Sequence, residues 1–434
     1  MKISGWGKYP LVDATILAPQ NTSECQEILI SDNQEMMISR GLGRSYGDSS
    51  LASQVIQTKY LDHFVAFDDK TGLITCDAGV SLSDILNSMV PKGWFLPVTP
   101  GTKFVSVGGA IACDVHGKNH HKEGSFSDHL KSIRIATANA GIIDCSHETH
   151  PELFRATCGG MGLTGIILQA TIQLKPIKSA YIDEVVIKAK NLDEIFSLFQ
   201  EHDNYTYSVA WIDCLSTGKS LGRSLLMLGE HAVHGGHTVG KQSRLSIPFD
   251  MPGALLNRYT IQAFNELYYR KTSKVRTEHH IHYEPFFYPL DGLHNWNRMY
   301  GKGGFTQYQF ALPKESGKEG MREILNRIAA SKMGSFLAVL KAFGKGNSNY
   351  MSFPIEGYTL ALDFKLNEKA LNLLDELDKI VMDYGGRLYL CKDSRMSRSM
   401  LEHGYPDLDK FISVRREYGA DKVLNSLQST RLGI

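Results

Sequence analysis

Three glycine-rich stretches in the first half of the chain have the residue types that hold a phosphorylated cofactor. They are "RGLGRSYGDSSL" (residues 40–51), "PVTPGTKFVSVGGAIACDVHGKNHH" (97–121) and "ATCGGMGLTGII" (156–167). Without a Cβ, glycine lets backbone N–H groups close on an anion and form a concave nest. Any tight turn uses such residues, so one loop says little. Three in one region suit a long cofactor threaded between segments. The usual dinucleotide fingerprint is excluded by spacing: its third glycine should stand where Tyr46 stands, and Gly47 comes one residue late. "HGKNHH" adds His116 and Lys118, and an imidazole near its ordinary pKa suits proton transfer around neutrality. The adjacent His120 and His121 do not converge on one ion, and no acid or thiol stands at ligand spacing. No metal is expected.

Elements must bring these residues together. In residues 1–179, "EMMISR" and "GLITCDAG" read as strands, and "SLSDILNSMVPKG" as a helix capped by Ser81 and closed by Pro91. "HLKSIRIATANAGIIDCS" reads as a hairpin turned at "NAG", and "GLTGIILQATIQLKPI" as a long strand. From residue 180 a strand–helix–strand order appears three times. It begins at "YIDEVVIKAKNLDEIFSLFQEH", "FTQYQFALPKESGKEGMREILNRIAAS" and "YTLALDFKLNEKALNLLDELDKIVMDYGG". That order predicts an α+β fold with one sheet and helices on one face. Residues 229–289, rich in His, Gly, Lys and Arg, read as an irregular lid or mobile loop around a helix at "ALLNRYTIQAFNELYYRK".

Composition narrows the class. The 434 residues are 42% hydrophobic and 21% charged with a formal net charge of +1. That is a well-cored chain without the basic excess of a nucleic-acid binder. No apolar run reaches the roughly 18 residues of a membrane span, and "MKISGWGKYP" has no signal-peptide pattern. Seven scattered cysteines without a C-x-x-C pair point to free thiols in a reducing compartment. A cytoplasmic protein is expected, with peripheral contact at the inner membrane allowed.

The segments "GLGRSYGDSS", "GTKFVSVGGAIACDVHGKNHH" and "GGMGLTGII" resemble the FAD-binding domain of the vanillyl-alcohol oxidase and p-cresol methylhydroxylase superfamily. "WNRMYGKGGFTQYQF", "LKAFGKGN", "SFPIEGYTLALDF", "GGRLYLCKDSR" and "FISVRREYGADKVLNSLQSTRL" are similar to its lipid-linked-ribose 2′-oxidase branch, so the resemblance spans nearly the whole chain. It implies a two-domain fold: an FAD domain at 1–179, an antiparallel-sheet substrate (cap) domain at 180–385 with mobile loops near 229–289, and a C-terminal return at 386–434 completing the FAD domain.

The same resemblance implies residue roles. Arg40, Gly41, Gly43, Arg44, Ser45, Tyr46 and Gly47 would wrap the pyrophosphate. Gly101, Thr102, Gly108, Gly109, Cys113, Gly117 and Ile167 would line the rest of FAD, and Tyr389 would reach the flavin edge. Lys118, Trp211, Gln309, Lys341, Phe343, Thr359 and Ala361 would face the substrate. Lys392 and His116 would be catalytic, since burial lowers a lysine from ~10.4 toward usable values while its charged form stabilises an anion. Relatives often carry a flavin-linking histidine in a "G-H-S" pattern; Arg44 takes that place, so FAD is expected without a covalent bond. The related oxidases carry "NIC" where this chain has Thr359, Leu360 and Ala361, a change expected to alter substrate fit.

The implied reaction oxidises C2′ of polyprenylphosphoryl-β-D-ribose to the 2′-keto sugar, the first half of an epimerisation to the arabinose form. A separate NAD(P)H-dependent short-chain reductase would complete it, and a quinone-like acceptor would reoxidise the flavin. The alternatives are an oxidase or dehydrogenase of soluble alditols or aldonolactones, and a flavin-binding partner protein without turnover.

Overall fold

The computed structural model of the protein describes residues 1–31, 35–240 and 245–434. The glycine-rich segments hang on two small sheets. Strands Thr15–Leu17, Gln54–Gln57 and Met37–Arg40 form a parallel sheet with Gln54–Gln57 in the centre. An antiparallel sheet runs Gly141–Cys145, Leu130–Thr137, Ile166–Gln173, Leu73–Asp77, Phe64–Asp68 and includes the expected hairpin. The helix Leu82–Met89 starts where the sequence places it. Ser81 Oγ accepts from Asp84 N at 3.0 Å and the Asp84 carboxylate accepts from Ser81 N at 3.3 Å, a reciprocal cap that satisfies two otherwise orphaned donors. Its apolar stripe, Leu82, Ile85, Leu86 and Met89, is buried.

Eight strands form a large sheet, antiparallel throughout, in the order Arg276–His282, Tyr181–Ala189, Ser224–His231, Tyr207–Ile212, Ala338–Phe343, Gly357–Lys365, Phe305–Pro313, Arg387–Leu388. Successive side chains alternate between faces and cross-strand partners share one. One face presents Leu226, Leu228, Ala210, Ile212, Leu340, Leu360, Leu362 and Phe310, all buried. The helices Leu192–Glu201, Gly317–Ser331 and Glu368–Asp383 cover that face, with Phe196 and Phe199 against Tyr358. Asn191 and Asn367 cap two of them, accepting from Glu194 N and Ala370 N.

The opposite face carries the chemistry. Gln309, Ala361, Val339 and Trp211 lie in one cross-strand row, and Ala311, Thr359 and Lys341 in the next. Phe343 follows Lys341 by two residues on the same strand, so it shares this face.

Residues 229–289 correct the expectation of a mainly irregular segment. The helix Arg258–Lys271 is present, but Arg276–His282 is an edge strand paired with Tyr181–Ala189. Its sequence, "RTEHHIH", is polar on both faces because it sits half exposed at the sheet edge; no apolar alternation marks it. Residues 241–244 of this segment lie outside the described residues.

After Arg387–Leu388 the chain packs onto the first region. The helix Leu408–Glu417 lies against Pro151–Thr157. Asn425 N donates to Met37 O at 2.9 Å and Leu427 N to Leu51 O at 2.8 Å. Buried Arg415 donates to the carbonyls of Leu163 and Leu424. The N-terminal segment ties the first glycine loop to the large sheet: Trp6 N donates to Ser45 O, Gly7 N to Tyr46 O, and Phe305 N to Gly7 O.

Candidate active site

The first glycine loop leaves strand Met37–Arg40 and turns at Gly43, whose φ of 64° lies in the left-handed region. The Arg40 guanidinium fills the space beneath Gly43. It donates to Ser4 O at 2.7 Å and Ser50 Oγ at 3.2 Å, so this side chain braces the loop from inside. The N–H groups of Gly41, Leu42, Gly43, Arg44 and Ser45 have no protein acceptor among the described residues. Five successive free donors are what a pyrophosphate needs. Arg44 stacks its guanidinium on Trp6, 4.1 Å from the ring centroid, with Phe104 at 5.5 Å and Asp291 as its nearby counter-charge.

The second segment supplies room. A Cβ on Gly101 would meet nothing within 4 Å, and one on Gly109 would meet only Ser106 Oγ, leaving an open flank beside the free donors. Gly108 and Gly117 are needed for packing, since a Cβ on either would press on Ala78 or on Thr99 and Asn119. Thr102 Oγ1 accepts from Phe104 N at 3.2 Å, and Ile167 is buried in the core. A run of free amide donors bordered by side-chain-free space fits FAD.

The C-terminal return reaches this loop. Tyr46 N donates to Cys391 O at 3.0 Å, and Lys392 Nζ stands 4.0 Å from the centroid of the Tyr46 ring. A side chain on Gly47 would strike the Asp393 carbonyl, so these two segments pack backbone to backbone. Tyr389 donates its hydroxyl to Cys113 O at 2.8 Å.

His116 is the hub between the loops and the large sheet. Its ring is enclosed by Phe343, Tyr389 and Phe353, with centroids at 4.8, 5.2 and 5.6 Å. Thr359 Oγ1 donates to Phe310 O at 2.8 Å, which leaves it free to accept from Gln309 Nε2 at 3.3 Å. The same amide nitrogen lies 3.1 Å from His116 Nε2. The amide donates there, so the imidazole is neutral and carries its proton on Nδ1. Nδ1 is buried with no partner among the described residues. Burial first, then the positive charges of Lys341, His120 and Lys392, hold the ring well below the usual histidine range. The expectation of an imidazole titrating near neutrality is therefore corrected; His116 is a neutral ring whose Nδ1–H is left without a protein acceptor among the described residues.

Lys341 and Lys392 act on its charge, and Lys118 follows it by two residues. Burial drives Lys341 down to about 7, reinforced by Lys118 and Lys392. Burial also lowers Lys118, to about 8, against the pull of Glu184. Lys118 donates to Phe286 O and lies over the Phe286 ring at 4.2 Å. His120 and His121 point apart, one toward Phe343 and the other to Tyr205 O.

Trp211 stands farther along the row. Its Nε1 donates to Phe336 O at 3.1 Å and its ring packs on Tyr268, 4.8 Å between centroids, so helix Arg258–Lys271 walls that end.

Sequence reasoning missed Gln307, Tyr300 and Asp363. Gln307 Nε2 donates to Asp363 Oδ1 at 2.6 Å and Tyr300 OH to Oδ2 at 3.3 Å. Gln307 also hydrogen-bonds Tyr46. Burial raises Asp363 to about 7 despite these donors. The signal was available: Gln307 and Asp363 stand two residues from Gln309 and Ala361 on their strands, and so share their face.

Comparison with known proteins agrees with this architecture. The model of a family described as FAD binding domain matches residues 14–146. The decaprenylphosphoryl-β-D-ribose oxidase of Mycolicibacterium smegmatis is 38% identical over 451 residues, covering 99% of this chain and 97% of that protein. The L-gulono-1,4-lactone dehydrogenase of Mycobacterium tuberculosis is 21% identical over 99% of both chains. The L-gulonolactone oxidase of Bos taurus is 22% identical over 96% of this chain and 94% of its own. With free amide donors on the first loop, open space on the second and this likeness along the whole length, the chain belongs to the family of FAD-binding oxidoreductases that includes the decaprenylphosphoryl-β-D-ribose oxidase of M. smegmatis.

Proposed function

We propose that the protein oxidises the C2′ hydroxyl of a polyprenylphosphoryl-β-D-ribose to the 2′-keto sugar. One observation carries this reading: two buried lysines, Lys341 on the sheet face and Lys118 on the second glycine-rich segment, on a site whose sheet face ends at an amphipathic helix with apolar residues turned outward. Lys118 and Lys341 suit a phosphodiester headgroup, because two buried ammonium groups lacking a direct carboxylate partner gain most from an anion. Beyond Trp211, Tyr259 and Leu267 on helix Arg258–Lys271 are 76% and 72% exposed, with Phe249 and Leu255 exposed just before it. Arg258, Arg270, Lys271 and Lys274 lie among them. Apolar side chains interleaved with cations suit an anionic lipid surface and the start of a polyprenyl tail. No helix among the described residues is long and apolar enough to cross a membrane, so contact would be peripheral.

Bound FAD supplies the hydride acceptor. Lys392, beside Tyr46, takes the hydroxyl proton as a base or, as a cation, stabilises the negative charge that develops on the hydroxyl oxygen. His116 donates Nδ1–H to the reacting region while Gln309 and Thr359 hold its tautomer. The first glycine loop holds the pyrophosphate on its free amides, and Arg40 keeps that loop in shape. FAD is held without a covalent bond, since Arg44, stacked on Trp6, occupies the place of the linking histidine and its guanidinium is not a nucleophile. Thr359 and Ala361 shape the substrate side with smaller groups than the related oxidases carry. Residues 1–179 and 386–434 act as the cofactor unit and residues 180–385 as the cap. The keto product calls for an NAD(P)H-dependent short-chain reductase, and the reduced enzyme for a quinone-like acceptor.

Acid precipitation followed by anaerobic titration tests this reading. The flavin should leave the precipitate, and polyprenylphosphoryl-ribose should bleach its absorbance. Bleaching by xylitol or gulonolactone but not by the lipid-linked sugar would replace the substrate. A yellow pellet would overturn non-covalent binding.

A further inference from the structure

His116 and Lys118 sit on one loop, residues 115–126, that is closed at its neck. Phe126 N donates to Val115 O at 2.9 Å, and His116 pairs antiparallel with Ser125. Asp114 adds a third tie, its Oδ1 accepting from Ser127 N at 3.0 Å. The other oxygen of this carboxylate reaches the large sheet. Strand Ala338–Phe343 carries Lys341 and Phe343, strand Gly357–Lys365 carries Thr359 and Ala361, and residues 344–356 connect them. From that connection Asp114 Oδ2 accepts Asn347 Nδ2 at 2.8 Å, Asn349 Nδ2 at 3.2 Å and Ser352 Oγ at 2.6 Å. The two amides also donate to Ser127 Oγ, at 3.2 and 2.8 Å. The next residue, Phe353, stacks on Tyr389 at 4.5 Å between centroids and lies 5.6 Å from the His116 ring.

Asp114 is an expensive residue at this place. Its side chain is fully buried, and its φ of 39° lies in the left-handed region, where a residue with a Cβ is strained. Its four hydrogen-bond donors among the described residues are all neutral. A carboxylate buried without a cation is costly unless its lone pairs are filled. Here every contact asks the side chain to accept, which a carboxylate does with both oxygens and an amide with one. The chemistry therefore selects Asp over Asn. Strain and a buried charge coincide two residues before His116, on the one side chain that joins its loop to the connection between the substrate-facing strands.

We propose that Asp114 is a positioning residue of the active site. Its carboxylate locks connection 344–356 onto loop 115–126, so the wall bearing His116 and Lys118 keeps a fixed spacing from the sheet face bearing Lys341 and Thr359. The reacting carbon must lie between these walls, where a displacement of about 1 Å can cost roughly 100-fold in rate. Only the kinetic half of the test rests on the oxidation proposed above.

The test uses the full chain with FAD bound. Asp114→Asn turns an amide nitrogen toward the three donors of the connection. Ser352 can rotate its hydroxyl, but Asn347 cannot invert its amide without releasing Asn349 N, which its Oδ1 accepts at 3.2 Å. Hydrogen exchange without substrate should quicken in residues 344–356 and 115–127 together, while helices Gly317–Ser331 and Glu368–Asp383 stay unchanged and flavin is retained. Flavin reduction by saturating polyprenylphosphoryl-ribose should slow by roughly 10–100-fold. KM should move less, because an ammonium holds a phosphodiester as a point charge and tolerates small shifts. Asn347→Asp alone sets two carboxylates face to face and should also slow reduction. Asp114→Asn with Asn347→Asp reverses donor and acceptor, and should regain most of the protection and the rate, a coupling expected only of side chains in contact.

A double variant no better than Asp114→Asn, or unchanged exchange at 344–356 in Asp114→Asn, would overturn the lock. Should Asp114→Asn lose its flavin, Ser352→Ala removes one donor and keeps the carboxylate. It should quicken exchange in both segments, and unchanged exchange there would overturn the proposal equally. A wild type that lipid-linked ribose does not reduce would remove the substrate reading and leave the exchange and swap results to decide the lock. Normal reduction in an Asp114→Asn protein with quickened exchange would do the reverse, removing the positioning role alone.

Discussion

Burial drives Lys341 and Asp363, two residues of one sheet face, toward their neutral forms. Their consequences with pH differ. Lys341 loses its charge as pH rises through about 7 and Lys118 through about 8, so a phosphodiester headgroup is held less firmly in that window. We expect KM for the lipid-linked sugar to rise from pH 7 to 9 while kcat at saturation moves less. Lys341→Met should raise KM at pH 6.5 by roughly 10–100-fold, the worth of a hydrogen bond to a charged group, and should flatten the rise. A KM independent of pH would argue for an uncharged substrate. Asp363 keeps its proton in the folded protein up to about 7, whereas the unfolded chain loses it from 3.8 upward. The folded state binds more protons between those values, so stability falls across that window and the deficit persists above it. Asp363→Asn removes the dependence. Melts at pH 5 and pH 8 should show the variant gaining on the wild type by about 1–3 kcal/mol at the higher pH.

At the scale of elements, the first glycine loop and helix Arg258–Lys271 make separate demands. Gly43 sits at positive φ directly over the Arg40 guanidinium. Gly43→Ala should cost about 1–2 kcal/mol from backbone strain alone and displace Arg40. The readout is a lower flavin-to-protein absorbance ratio after gel filtration, together with a lower melting temperature. The helix presents a different case. Ile261 and Asn265 face inward while Tyr259 and Leu267 face out, so replacing the outward pair alters no core contact. Tyr259→Ser with Leu267→Ser should abolish co-sedimentation with anionic vesicles and leave FAD content unchanged. Retained vesicle binding would remove this helix from the membrane-facing role.

The whole molecule depends on the C-terminal return. Arg431 binds Asp48, within the first glycine loop, at 3.0 Å and Asp393, beside Lys392, at 2.8 Å. Both carboxylates are nearly fully buried, at 5% and 3% side-chain exposure. One guanidinium therefore joins the last helix, the turn bearing Lys392 and the cofactor loop. Removing a single partner of a buried ion pair typically costs about 3–5 kcal/mol, because the remaining charge is left uncompensated. Arg431→Ala should lower the unfolding free energy measured by urea denaturation by that amount and release FAD in the same transition. Flavin retained through a lowered transition would mean that the return does not shape the cofactor site.

Much of the fold was legible because it is encoded over short distances. Ser81 three residues before Asp84 marks a helix start, and the alternation in "FTQYQFALP" and "YTLALDF" marks strands with one apolar and one polar face. The edge strand Arg276–His282 escaped because neither of its faces is buried enough to select apolar residues. The glycine-rich motifs of the candidate site could be read as well. Their electrostatic states could not. The tautomer of His116 is set by Gln309, 193 positions away, which is itself oriented by Thr359. Arg40 became a brace only because Ser4 and Ser50 lie within reach. By itself the sequence determined most of the elements and the FAD-binding motifs, since local periodicity and contiguous motifs carry that information. The tertiary structure decided which of the polar side chains ionise and which donate, because burial and long-range partners exist only once the chain has folded.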